Sequence, residues 1–243
     1  MATNVVSDTK RYIQLALITL AGGAIYPLIY LRQNFEVSIL ESFGITLTQL
    51  GQCYSLLGVM FVVTYIPSGW LSDRFSPRWL ISFSLVLTAA LGLWFSTMPG
   101  YSELRIIFFG WGIATGLTFW AAMIKGVAVI ARTQEQGRFF GILDGGRGLV
   151  EAILASIAVA WFSYSLTSLE QPTEVALQKV IYFYVGFALL IAPLVVLVVE
   201  DLKVEHEGGD HPADTAATLT TWESLKIIVA SKELWLGAIC IWS

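Results

Sequence analysis

Long apolar stretches separated by short polar segments run along most of this 243-residue chain. Because the hydrocarbon core of a bilayer is about 30 Å thick and a helix rises about 1.5 Å per residue, a membrane span needs about 20 apolar residues. Six stretches have that length, and they predict spans at residues 12–31, 50–71, 79–98, 104–130, 139–166 and 180–199. The pattern predicts an all-α membrane protein with a six-helix transmembrane bundle.

The segments outside these spans predict the rest of the organisation. Residues 1–11 read as a polar tail, and residues 32–49 form the longest outer loop. Residues 200–232 begin acidic and glycine-rich, which is typical of a flexible linker, and a capping box at Thr220 and Glu223 then predicts an amphipathic helix. Residues 233–243 start a seventh span with about half of the required length, so the sequence is expected to be truncated.

Composition and charge set the class of protein and its orientation. Apolar residues make up 56% of the chain and charged residues 13%, about half the charged share of an ordinary soluble domain. Positive charge is retained on the cytoplasmic side during insertion, and nine Lys and Arg residues fall on one side of the predicted spans against three on the other. The nine are Lys10, Arg11, Arg74, Arg78, Arg132, Arg138, Lys203, Lys226 and Lys232, and the three are Arg32, Arg105 and Lys179. This distribution predicts a multi-pass protein of the cytoplasmic (inner) membrane with its amino terminus inside.

The predicted inner turn after the second span, residues 69–78, carries a distinctive pattern. It resembles the signature G-x-x-x-D-R/K-x-G-x-R/K-R/K of the major facilitator superfamily, while Ser76 and Trp79 depart from it. The matching residues are Gly69, Asp73, Arg74 and Arg78. Residues 137–152, GRFFGILDGGRGLVEA, resemble a stretch of the fifth helix in bacterial permeases of this family.

The resemblance implies the amino-terminal six-helix half of a permease that carries out secondary active transport by alternating access. It also implies a small polar solute, one class being organic anions, with proton or ion coupling. The solute would bind between two such bundles, so the partners are the bilayer and a missing carboxy-terminal half, and neither a cofactor nor nucleic acid is expected.

In the family, the carboxylate matching Asp73 helps to latch the two halves in the outward-facing state. The candidate partner of Asp73 within this half is Arg132, at the inner end of span four. Gly69 is expected to let two helices approach closely. The alternative is that Arg74 and Arg78 only set the topology.

Charged residues at bilayer depth are the candidates for a substrate or coupling site, because an ionisable side chain there normally faces a partner or a watery cavity. At 100° per residue, Asp144, Arg147 and Glu151 share one face of span five. Either Arg147 holds the substrate while Asp144 or Glu151 carries a proton, or the three form a self-neutralising ladder.

Four further residues are weaker candidates for substrate contact. Lys125 lies about 7 Å from the inner end of span four, where a Lys can also reach the interface as an anchor. Tyr26, Tyr30 and Arg32 form an aromatic and cationic outer end of span one, although Tyr is also ordinary at membrane interfaces. Two cations and two anions within the spans do not by themselves require an anionic substrate.

Other classes of membrane protein remain as alternatives. A permease subunit of a nucleotide-driven pump would also be a helical bundle, but it gives no reason for the pattern at residues 69–78. An intramembrane serine protease needs a base, and both histidines, His206 and His211, lie in the predicted linker. The absence of His from the spans also excludes a His-dependent metal site within them.

Overall fold

The computed structural model describes residues 8–200, which fold into eight α-helices and one short 3-10 helix at Thr133–Glu135. The helices are α1 Asp8–Ile29, α2 Arg32–Phe43, α3 Leu47–Arg74, α4 Pro77–Phe95, α5 Tyr101–Gly116, α6 Trp120–Ile130, α7 Gln136–Thr167 and α8 Thr173–Val198. Six segments are long and apolar enough to cross a membrane, which confirms the predicted all-α bundle. The predicted amphipathic helix, the start of a seventh span and most of the linker lie outside the described residues.

Residues 32–49 are largely helical, so the prediction of an outer loop there was wrong. Helix α2 buries Phe35, Ile39 and Phe43 on one face, as residues four apart on a helix do. These side chains pack on the bundle, where the ring of Phe43 lies 4.6 Å from that of Phe95. Helix α2 ends at Gly44, whose φ of 61° is a left-handed conformation that glycine adopts without strain. The first apolar segment therefore continues past the predicted span as a second, packed helix.

The fourth span, predicted as one helix, is divided into α5 and α6 by a turn at residues 117–119. Two hydroxyl groups donate hydrogen bonds to the carbonyl oxygen of Ala114, just before this turn. The Oγ1 of Thr118 donates to it at 2.6 Å and the Oγ of Ser84 at 2.5 Å. Side-chain donors of this kind re-satisfy backbone groups that an interrupted helix leaves unpaired in a membrane.

Close helix packing brings α1 and α7 together through small residues. A Cβ atom added to Gly23 would lie 2.5 Å from the Cβ of Val150, and one added to Gly146 would lie 2.7 Å from the Cγ2 of Thr19. Both distances are far below an ordinary carbon–carbon contact, so only glycine allows this approach. The contact positions the middle of α7 beside the carboxy-terminal half of α1.

The helices α3 and α7 are the least covered of the six segments. Only 22% and 17% of the residues in their apolar windows are buried, against 67% in the first segment. Large apolar side chains such as Val62, Ile66 and Leu149 are exposed on these two helices. Each helix therefore presents a broad apolar face outside this bundle.

Candidate functional site

A cavity of about 340 Å³ is lined by residues of α1, α2, α3, α5, α6 and α7 and of the turn between α1 and α2. This volume is within the range of about 300–1,000 Å³ that is common for small-molecule sites. Its lining residues are Tyr26, Tyr30, Gln33, Phe61, Tyr65, Thr115, Gly116, Trp120, Arg147 and Glu151. The walls are mainly aromatic, with one cation and one anion.

Arg147 is the cation of this cavity, and two aromatic rings flank its guanidinium group. The Cζ atom lies 5.2 Å from the ring centroid of Trp120 and 5.7 Å from that of Tyr26. Both distances are within the range of cation–π attraction, which is strengthened where water is excluded. The side chain of Arg147 is 23% exposed, so the group is largely enclosed but reachable from the cavity. The rings therefore restrict where the guanidinium can point.

Glu151 is the anion of the same cavity, one helical turn from Arg147 on α7. Its Oε1 lies 4.0 Å from the Nε of Arg147, which is the outer limit of an ion pair rather than a tight hydrogen bond. The side chain of Glu151 is 38% exposed. The pair is therefore loose enough for either partner to turn toward a bound solute.

Asp144 shares the helix face as the periodicity predicts, but it does not join this pair. Its side chain is exposed, and it makes no ion pair within the described part of the chain. The structure thus brings Arg147 and Glu151 together and leaves the third member of the expected ladder outside the cavity.

Small residues on α1 make room for Arg147. A Cβ atom on Gly22 would lie 3.0 Å from the Cδ of Arg147 and 3.0 Å from the Sδ of Met123. The stem of the arginine therefore crosses α1 at a position where any larger residue would displace it. The role of Gly22 and the approach of Trp120 were not predicted from the sequence, because neither residue type signals a site by itself.

Arg32 belongs to a second recess next to the cavity, of about 360 Å³. Its Cζ lies 4.7 Å from the ring centroid of Tyr54, whose hydroxyl group donates to the carbonyl oxygen of Ile29 at 2.7 Å. The recess and the cavity share Tyr30, Gln33 and Phe61 in their walls. Of the predicted outer-end residues, Tyr26 and Tyr30 therefore line the main cavity, and Arg32 lies beside it.

The predicted inner end of the bundle shows a different pairing from the one expected for the latch. Asp73 pairs with Lys125, whose Nζ lies 3.4 Å from the Oδ1 of Asp73 and donates to the carbonyl oxygen of Ser72 at 2.6 Å. Arg132 instead pairs with Asp8, at 3.0 Å. The expected pair of Asp73 with Arg132 is therefore corrected, because the end of α3 lies beside α6 rather than beside the connection that follows it. Lys125 belongs to this inner cluster and not to the cavity.

The other residues of the 69–78 pattern lie at the same inner end. A Cβ atom on Gly69 would meet nothing within 4 Å, so Gly69 mediates no close helix contact among the described residues. The Cζ of Arg74 stacks 4.1 Å from the ring centroid of Trp70, and that of Arg78 lies 5.8 Å from the ring centroid of Trp79.

Arg11 is the most buried cation described and was counted only for topology in the sequence analysis. It is 5% exposed, its Nε donates to the carbonyl oxygen of Ile130 at 2.7 Å, and its guanidinium pairs with Asp8 at 3.1 Å and Glu135 at 2.7 Å. It therefore ties the start of α1 to the segment between α6 and α7. Its place directly before an apolar run was the only signal in the sequence.

Comparison with known proteins identifies the family of this chain and several relatives. The model of the Major Facilitator Superfamily matches residues 12–243. The inner membrane protein YihN of Escherichia coli (strain K12) is 28% identical over 229 residues, which cover 94% of this chain and 52% of that protein. The glycerol-3-phosphate transporter of Bacillus subtilis (strain 168) is 25% identical over 225 residues, covering 84% of this chain and 48% of that one.

A solved structure has a similar fold. The bacterial homologue of the human lysosomal transporter Spinster, in its inward-facing, unoccupied conformation, superposes with a TM-score of 0.72 at 15% identity. The match covers 94% of this chain and 51% of that one. The chain thus spans about half the length of the proteins that it resembles.

Proposed function

Since the chain belongs to the Major Facilitator Superfamily, we propose that it forms the amino-terminal half of a secondary active transporter. The transporter moves a small polar solute, with organic anions as the favoured class, across the cytoplasmic membrane by alternating access. The resemblance drawn from residues 69–78 is confirmed by the family match, which also favours a carrier over the permease subunit of a nucleotide-driven pump. The relative from Bacillus subtilis is itself named as a transporter of an organic phosphate.

The position of Arg147 is the observation that carries this proposal. Its planar guanidinium presents several donors in a fixed fork, which matches the two oxygens of a carboxylate or phosphate. It faces an aromatic cavity, and within residues 8–200 only the loosely placed Glu151 competes for it. A ladder that existed only to neutralise itself would be expected to pair tightly and to have no cavity beside it.

The proposed location and orientation rest on charge and on relatives. YihN is named as an inner membrane protein. Five cations lie at one end of the described bundle and form ion pairs or aromatic contacts there. They are Lys10, Arg11, Arg74, Lys125 and Arg132. By the positive-inside rule this end faces the cytoplasm, with the amino terminus.

The partner of this bundle is a second six-helix half that covers the exposed faces of α3 and α7. These helices have the least buried apolar windows, and in this fold class the solute binds between two bundles near the middle of the membrane. Asp73 and Arg74 lie at the end of α3, Lys125 of α6 pairs with Asp73, and Arg78 lies in the first turn of α4. These residues would form the latch against that half.

Coupling is assigned to Glu151 ahead of Asp144. Glu151 lines the cavity beside Arg147, so binding of an anion to Arg147 changes the electrostatic partner of this carboxylate. Loss of a cationic partner favours the protonated form of a carboxyl group. The solute would bind while Glu151 is ionised and proton uptake would follow, so the two events would be linked at a single ion pair.

The test replaces Arg147 by Lys in the full-length transporter, reconstituted in proteoliposomes and assayed with labelled glycerol 3-phosphate and D-gluconate. Lys keeps the charge but loses the fork, so uptake should fall by about tenfold or more while protein abundance is unchanged. Arg105→Lys is the matched control, because Arg105 is exposed on α5 and does not line the cavity. Uptake by the Arg147 variant at the rate of this control would leave Arg147 as a structural ion pair only.

A further inference from the structure

We infer that the solute is a hydroxylated monocarboxylate, and that Glu151 acts as a specificity residue that disfavours solutes with a second negative charge. The inference rests on the proposed transport function and narrows its substrate class. It follows from the balance of charges around the cavity, from the geometry of Arg147 and from the polar groups of the aromatic walls.

The charges that line the cavity and its adjoining recess come from three described residues. Arg147 and Arg32 are the cations, and Glu151 is the anion. Two cations against one anion leave a single net positive charge, which one carboxylate balances. Within the main cavity a second negative group on the solute would share the space with Glu151, because Arg32 lines only the adjoining recess, and like charges repel strongly where water is partly excluded.

The enclosure of Arg147 favours a planar anionic group. The rings of Tyr26 and Trp120 lie on the guanidinium at 5.7 Å and 5.2 Å, and Glu151 lies at its Nε. The free edge can form two parallel hydrogen bonds with a carboxylate. A phosphate group carries three oxygens and close to two charges, so it needs donors beyond this edge. No second cation lines the main cavity among the described residues.

The remaining polar groups of the walls suit hydroxyl groups on the solute. The hydroxyls of Tyr26 and Tyr30 and the amide of Gln33 line the cavity, and none of them makes a hydrogen bond to protein within the described residues. Each can donate to or accept from a hydroxyl group. A site whose polar groups are left for the ligand rejects analogues that lack the matching groups. The walls therefore favour a polyhydroxylated chain over a purely apolar acid.

Four probes with graded charge test this inference by equilibrium binding to the purified full-length transporter. They are D-gluconate, D-glucarate, glycerol 3-phosphate and the neutral D-glucitol. We expect D-gluconate to bind about tenfold more tightly than either dianion, a difference that corresponds to about 1.4 kcal/mol, and D-glucitol to bind most weakly. Glu151→Gln should then tighten binding of both dianions by about tenfold, since it removes the repelling charge.

Two further variants separate this role from a structural one. Glu151→Asp retains the charge and should keep the wild-type order of affinities, and Glu174→Gln removes an exposed carboxylate at the start of α8, away from the cavity, and should change nothing. The inference is wrong if a dianion binds most tightly to the wild type, or if Glu151→Gln leaves the gap in affinity between D-gluconate and the dianions unchanged. In either case anion binding that depends on Arg147 would still support the proposed function. Binding of D-glucitol alone, or of no probe, would overturn both.

Discussion

Gly23→Ala should weaken the contact between α1 and α7 and thereby test the packing that positions Arg147. The new methyl carbon would lie 2.5 Å from the Cβ of Val150 and 3.0 Å from the carbonyl oxygen of Arg147. An ordinary contact between carbon atoms is about 3.5–4.0 Å, so the two atoms must separate by about 1 Å or more. Because both contacted atoms are fixed to the backbone of α7, a rotamer change cannot relieve the overlap. The helices themselves must move.

Overpacking of this kind costs about 1–3 kcal/mol. Gly145→Ala is the matched control, since Gly145 also lies inside a helix of this pair but its added Cβ would meet nothing within 4 Å. Both changes gain about the same 1 kcal/mol of helix propensity, so the difference between the two variants isolates the steric term.

The assay follows thermal unfolding of the detergent-solubilised chain by tryptophan fluorescence. For a chain of this size, 1 kcal/mol corresponds to roughly 2–4 °C in Tm, so Gly23→Ala should unfold at least roughly 2 °C below Gly145→Ala. Equal melting temperatures for the two variants would refute the close approach of α1 and α7 and, with it, the described position of Arg147.

Two further predictions concern the inner end and the topology. Arg11→Met should lower the free energy of unfolding by about 1–3 kcal/mol, because it leaves a buried carbonyl oxygen and a carboxylate without their donor. The control Arg138→Met, at an exposed position, should change it by less than about 0.5 kcal/mol. Urea-dependent unfolding of both variants gives the comparison, and equal losses would contradict the anchoring role of Arg11. Single cysteines are introduced at Gly208 and at Glu170 in a background without native cysteine, and intact cells are treated with an impermeant thiol reagent. The cysteine at position 170 should be labelled and the one at position 208 should not. Labelling of position 208 alone would reverse the proposed orientation.

Local features of the chain were sufficient to predict the fold class. The number of spans follows from the length of each apolar stretch, because a bilayer of fixed thickness requires nearly the same count of apolar residues each time. The shared face of Arg147 and Glu151 follows in the same way from helical periodicity. Both properties depend only on residues close together in the sequence, and the structure has them as predicted.

Irregularities within the helices were not predictable in this way. The turn at residues 117–119 interrupts an apolar stretch whose composition does not change there. Just before this turn, the Oγ of Ser84 on another helix donates to the carbonyl oxygen of Ala114, a contact that exists only in the packed bundle. Helix α2 likewise reads as a polar loop, because its three buried aromatic and aliphatic side chains, each four residues from the next, lie among mainly polar neighbours.

Tertiary structure alone decided which charged groups meet. From the sequence, Arg132 was the candidate partner of Asp73, but the packing of α3 against α6 places Lys125 beside it, 52 positions away. Arg132 pairs instead with Asp8 at the start of α1. Composition and periodicity specify how many helices form and which side chains share a face. Ion pairs and the walls of a cavity join residues from different helices, and their identity is therefore determined only when the helices pack together.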